Sequence, residues 1–287
     1  MSGQAAALSS GKGHRDENFP VASVLISPRH RPAILAFYNF VRAADDVSDH
    51  ATAAREVKLR LLEEMRASLM GASDVSPQGV TLRKVLAERS LSNEHAADLL
   101  EAFRRDVTKL RYENWNELVD YCRFSAMPVG RYVLEVHGEA KSTWSYSDVL
   151  CTALQIINHL QDCAKDYRSL DRVYLPLDTM AEYGAAPEML DAPRATPALR
   201  SVIAALARHN AELLQQSAPF AAHIRDKRLA LEVSLIQRLA EDLNNWLLVR
   251  DPLSERVHHR KTELPGLFLS AFGRFLGGRL GSERARP

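Results

Sequence analysis

The chain has 287 residues, 46% of them hydrophobic and 25% charged, an ordinary composition for a globular protein with a substantial core. A formal charge of +1 gives no electrostatic reason to expect nucleic acid as a partner. No apolar run reaches the roughly 20 residues that span a bilayer, and the first residues lack the apolar core of a secretory signal, so the expected location is cytoplasmic.

In chain order, residues 1–13 are small and polar and read as a disordered leader. Pro20, Pro28 and Pro32 interrupt the next stretch, and Pro32 suits the first turn of an amphipathic helix running to about Asp49. A second helix is expected over 53–70, closed by Gly71. Further helices are expected at about 78–90, 93–109 (with Ser92 as N-cap), 115–124, 126–140 and 147–168. Residues 168–197, rich in Pro, Gly and Asp, read as a long connection with one short helix. Long helices return at about 197–222 and 226–249, and Asp251-Pro252 marks a break. Without sustained alternation, a βαβ rhythm or an internal repeat, the fold class is all-α: a single helical bundle around a central cavity, spanning 14–263.

Two acidic stretches carry the chemistry. In QIINHLQDCAKDY (155–167), Asn158, Asp162 and Asp166 recur every four residues. Each step advances about 40° around a helix, so the three share one face, with Gln155 on the same stripe. An amide and two carboxylates in a row suit a hard divalent cation. In RAADDVSDH (42–50), Asp45 and Asp49 are also four apart, with Asp46 turned off that face. These carboxylates end a helix where the macrodipole disfavours anions. They form either a solvated acidic helix end or half of a cation site compensated by Arg42. Two matching pairs on separate helices are what several magnesium ions bridging a diphosphate require. Arg42, Lys165 and Arg172 lie nearby in sequence to receive the leaving group.

Other residue types read more plainly. Cys122, Cys151 and Cys163 have no CxxC spacing and are expected as buried small side chains. His159 lies about 100° from the aspartate stripe, which makes it a packing or surface histidine. Trp115, Trp144 and Trp246 read as packing residues. No GxGxxG follows a strand, so no nicotinamide cofactor is expected. The segment LPGLFLSAFGRFLGGRL (264–280), within a C-terminal tail of 264–287, suits either a docked last helix or a membrane surface.

The motifs RAADDVSD and QIINHLQDCAKDYRSLDRVYLP, with YCRFSAMPVGRYVLEVHG (121–138) between them, resemble the squalene/phytoene synthase family of head-to-head prenyl synthases. The likeness runs from about residue 16 to 262. ENFPVAS (17–23) and SAMPVGR (125–131) are most similar to the family's bacterial hopanoid branch. That resemblance implies magnesium-dependent ionisation of presqualene diphosphate, with water capture to hydroxysqualene and diphosphate. The alternatives are synthesis of presqualene diphosphate or phytoene from farnesyl or geranylgeranyl diphosphate and, more remotely, a non-catalytic assembly factor.

The resemblance also implies roles. Asp45, Asp49, Asn158, Asp162 and Asp166 would be ligands of several Mg2+ ions, the four aspartates counting as catalytic with Tyr121 near the reacting carbons. Arg42, Arg172 and Tyr174 would line the diphosphate pocket, and Phe19, Tyr38 and Gln155 would contact substrate. Arg256 and Lys261 match basic positions that are not assigned as ligands. Ser48 and Lys165 stand where relatives often carry an acid, and Ala126-Met127-Pro128 replaces a small Ala-Gly step. Expected partners are an isoprenoid diphosphate substrate, the membrane face at its periphery, and functional coupling to a presqualene diphosphate synthase and a flavin-dependent reductase.

Overall fold

The structure, a computed structural model, describes residues 26–259. Among these the architecture is helical throughout. The expectations for Phe19, Lys261, the leader and the tail 264–287 lie outside the described residues.

Helix α1 (Arg31–Ser48) starts with Pro32 in its first turn and ends at Asp49, whose backbone N–H returns to Asp45 O. Helix α2 (Arg55–Met70) closes on Gly71 at φ 86°, a left-handed position that a residue with a Cβ rarely adopts. Helix α3 (Pro77–Glu88) has a Ser76 cap, and α4 (Glu94–Thr108) follows. The expected Ser92 cap is displaced by one residue. Asn93 holds the N-cap position, while Ser92 Oγ accepts the Glu94 N–H at 3.1 Å.

Helices α5 (Trp115–Ser125) and α6 (Met127–Val136) meet at Ala126, and α6 stops earlier than the periodicity suggests, at His137 and Gly138. The 27-residue α7 (Trp144–Leu170) carries the second acidic stretch. The connection after it holds the short α8 (Leu177–Glu182) and a 3-10 turn at Pro187–Asp191. Helix α9 (Pro197–Ser217) ends before Pro219, so the expected 197–222 helix divides into α9 and a one-turn α10 (Phe220–His223). Helix α11 (Lys227–Val249) closes the bundle.

The core is in two parts. One cluster gathers α7, α9 and α11 around Ile157, Ala153, Val202, Leu206 and Ala240. The other joins α1, α2, α3 and α4 around Phe40, Leu62, Leu82 and Leu100. Helix α6 bridges them. Tyr132 stacks on Phe37 of α1 at 3.9 Å, and Gly130 lies so close to α7 that a Cβ there would overlap Ser147 and Cys151. A cavity of about 530 Å³ opens between the two clusters, lined from α1, α4, α5, α6, α7 and α11.

Candidate active site

The two acidic stretches face each other across one end of this cavity. Asp45 and Asp49 line it from the last turn of α1, and Asn158, Asp162 and Asp166 line it from α7. Tyr38, Arg42, Tyr121, Gln155, Arg172 and Tyr174 line it too. Every expected site residue within 26–259 is therefore brought to one cavity, whose remaining lining is largely apolar.

Arginines compensate the helix end that the macrodipole makes unfavourable for carboxylates. Arg42 donates to Asp45 Oδ2 at 2.7 Å and to Asp46 Oδ1 at 2.8 Å, so Asp46 is held off the cavity, 8% exposed. Arg172, only 5% exposed, donates to Asp49 Oδ1 at 2.5 Å, to Ser48 O at 2.9 Å and to Asp106 O at 3.0 Å. Ser48 Oγ donates to Asp49 at 3.2 Å. Lys165 stays 62% exposed with its ammonium 3.7 Å from Asp162, outside the cavity lining.

Two residues that sequence reasoning did not assign to the site complete it. Asp106 of α4 is 5% exposed and accepts the hydroxyls of Tyr121 at 2.9 Å and Tyr174 at 2.8 Å. Its signal was present in the sequence: it falls on the buried stripe of α4 with Leu99 and Phe103, an apolar face where a carboxylate needs an explanation. His159 is buried, lines the cavity, stacks on Tyr174 at 3.7 Å and accepts from the Gln155 amide at 3.2 Å. It packs as expected of a core histidine, but it does so in the wall of the site.

The loops that carry these groups are joined. Asp171 closes α7 at φ 53°, and the Arg172 N–H turns back to Asp166 O at 3.2 Å. The chain then runs beside the α4–α5 connection: Val173 N–H bonds Leu110 O, and Leu177 N–H bonds Tyr112 O, each at 2.9 Å. Pairing of these segments sets Arg172 and Tyr174 against Asp106.

The electrostatics show a shortage of positive charge. Burial, then Asp49, pushes the Asp45 carboxyl up to about 7. Burial, then Asp162, pushes Asp166 up to about 7, and Asp49 on the opposite face adds to it. Burial also raises Asp106 to about 6, against the pull of Arg172 and the two tyrosine hydroxyls. His159 is lowered by burial, and further by Arg172, to about 3, so its ring is uncharged at neutral pH. Carboxylates that repel across a gap, with an amide one turn along the same stripe of α7, are a donor set that fits hard divalent cations. The same end of the cavity offers guanidinium groups for an anionic leaving group. An apolar chamber joined to a polar, acid-rimmed mouth suits an apolar substrate with an anionic, metal-bridged leaving group.

Comparison with known proteins agrees. The squalene/phytoene synthase family model matches residues 13–263, and the chain belongs to that family. It is 55% identical to the hydroxysqualene synthase of Zymomonas mobilis over 94% of this chain and 92% of that protein. It is 54% identical to the hydroxysqualene synthase of Rhodopseudomonas palustris, over 94% and 91%. The crystal structure of squalene synthase HpnC from Alicyclobacillus acidocaldarius superposes with a TM-score of 0.69 at 30% identity, covering 86% of this chain and 94% of that one.

Proposed function

We propose that the protein is a hydroxysqualene synthase: it ionises presqualene diphosphate and lets water capture the rearranged carbocation, releasing hydroxysqualene and diphosphate. The observation that carries this reading is the pair of acidic faces, from α1 and α7, converging on one apolar cavity. The relatives at 54–55% identity, both named hydroxysqualene synthase, support this choice within the family.

Asp45, Asp49, Asn158, Asp162 and Asp166 are the residues that would hold magnesium ions. When bound, the ions supply positive charge to the departing diphosphate. Arg42 and Arg172 orient the acidic rim, and Arg172 is pinned by three acceptors, so this part of the site is preorganised. The tyrosines keep their protons: burial raises Tyr121 and Tyr174 well above the ordinary phenol value, and both hydroxyls are engaged by Asp106. Their contribution is their ring faces. Together with the uncharged His159 ring they present electron-rich surface to a carbocation, while Phe37, Leu154 and Val233 keep bulk water from the chamber.

Ser48 and the cationic Lys165 lower the negative charge of the acidic rim, which suits a site handling one diphosphate. Because substrate and product are lipid-soluble, supply by a presqualene diphosphate synthase, removal by a flavin-dependent reductase and contact with the membrane face complete the reading. Among the described residues no helix is long and apolar enough to cross a membrane.

The test is to incubate the protein with Mg2+ and presqualene diphosphate, or with farnesyl diphosphate, in 18O-labelled water and to analyse products by mass spectrometry. The expected result is 18O-hydroxysqualene from presqualene diphosphate without any reductant. Turnover of farnesyl diphosphate to presqualene diphosphate, with presqualene diphosphate itself left unchanged, would instead assign the first step of the pathway.

A further inference from the structure

At the end of α1 opposite to the acidic rim, about 27 Å away at 1.5 Å per residue, three helix ends from distant parts of the sequence meet. His30 is the N-cap of α1, His137 the C-cap of α6 and Asp226 the N-cap of α11. One nitrogen from each ring and one oxygen of Asp226 lie within 4.8 Å of one another, and the two rings are 4.3 Å apart. We propose that these three residues form a second metal site, selective for zinc-class ions, that staples the three helix ends together.

Three features support a site with donor atoms directed to a ligand. The first is the state of His137. Its Nδ1 lies 2.8 Å from Val133 O, and a carbonyl only accepts, so Nδ1 carries the proton. The lone pair is then on Nε2, which is buried with no hydrogen-bond partner among the described residues. A backbone acceptor fixing the tautomer in this way is the usual arrangement behind a metal-bound imidazole.

The second feature is His30, 7% exposed, whose Nδ1 is likewise buried without a partner. Its side chain makes no cap bond to α1, so helix capping does not account for its position. Burial, then the neighbouring His137 and Arg29, lowers it to about 4, which leaves the ring neutral at pH 7. The third is Asp226. Its cap bonds to the N–H groups of Arg228 and Leu229, at 2.8 and 3.1 Å, both fall on Oδ1, so capping α11 leaves Oδ2 outside the cap.

The surroundings also set the selectivity. Arg29 Nε donates to His30 Nε2 at 2.9 Å, and Arg89 lies close enough to act on the same ring. Cationic neighbours oppose an ion held by charge alone, so magnesium and calcium are disfavoured. An ion that bonds strongly to imidazole nitrogen tolerates them, and two His plus one carboxylate is a zinc donor set with a fourth position left for water. Coordination through His30 Nδ1 moves the ring proton to Nε2, so Arg29 gives up its bond. Tetrahedral zinc with bonds of roughly 2.0–2.1 Å needs donors about 3.3 Å apart, so the triangle tightens on binding.

The experiment uses the full chain, stripped with chelator, with millimolar Mg2+ present to occupy the acidic rim. Zinc chloride is titrated calorimetrically, and the thermal midpoint is followed in parallel. The wild type should take up one zinc per chain and, at about a hundredfold excess over Kd, gain on the order of 5 °C. His30→Ala/His137→Ala should lose both effects. Asp226→Asn, whose amide still caps α11, should keep its metal-free midpoint yet bind zinc about tenfold or more weakly. Equal zinc binding by the wild type and the histidine double variant, or no binding by the wild type, would overturn the site.

Discussion

Asp45 shows how one side chain is used against the stability of the fold. Its side chain keeps 31% exposure on the cavity it lines, and burial and Asp49 together raise its carboxyl to about 7. A carboxyl whose folded value lies above the ordinary one stabilises the protein when protonated, and that contribution is lost as pH rises through the folded value. Without metal, therefore, the wild type should lose thermal stability relative to Asp45→Asn as pH rises from 6 to 8. Added Mg2+ should stabilise the wild type more than the variant, which keeps the other four ligands, and the variant should lose at least about a hundredfold in activity. Differential scanning fluorimetry at pH 6 and pH 8, with and without Mg2+, checks the first part, and diphosphate release checks the second. Asp106 is built differently, because two tyrosine hydroxyls satisfy its oxygens. Tyr174→Phe removes one of these bonds while keeping the stack on His159. It should cost about 1–2 kcal/mol in a denaturant titration, the usual penalty for a buried acceptor that loses a donor.

At the scale of elements, two backbone features aim the site. Asp171 adopts φ 53° at the end of α7, a conformation that Gly and Asn tolerate and β-branched residues do not. Asp171→Asn should therefore keep most activity, whereas Asp171→Val should displace Arg172 and cut kcat more than thermal stability; steady-state kinetics beside melting curves separate the two. Gly130 does the same for helix packing, because a Cβ there would collide with Ser147 and Cys151 of α7. Gly130→Ala should destabilise by roughly 1–3 kcal/mol despite its better helix propensity, read from the shift of the urea midpoint. The acidic motifs and the long helices were legible in the sequence because a spacing of four residues and an apolar stripe are local signals. The packing of residues 172–178 beside 110–113 was not, because that pairing joins segments about sixty residues apart and leaves no periodic trace. Asp106 was legible in principle from its register with Leu99 and Phe103, but its two tyrosine partners come from α5 and from the segment after α7.

At the scale of the whole molecule, the bundle holds two hydrophobic clusters, with the cavity between them. Helix α1 belongs to one cluster and α7 to the other, so each half of the fold contributes one acidic face. That division explains why each motif alone reads as an acidic helix end or a polar stripe, and why function becomes legible only with both. It also makes the two faces one energetic unit. Diphosphate release from presqualene diphosphate, measured with Mg2+ for Asp45→Asn, Asp162→Asn and the double variant, tests this directly. The two faces acting on one diphosphate predict that each single variant loses about a hundredfold or more, and that the double variant is scarcely worse than either. Losses that multiply in the double variant, or full activity in either single variant, would contradict a shared site.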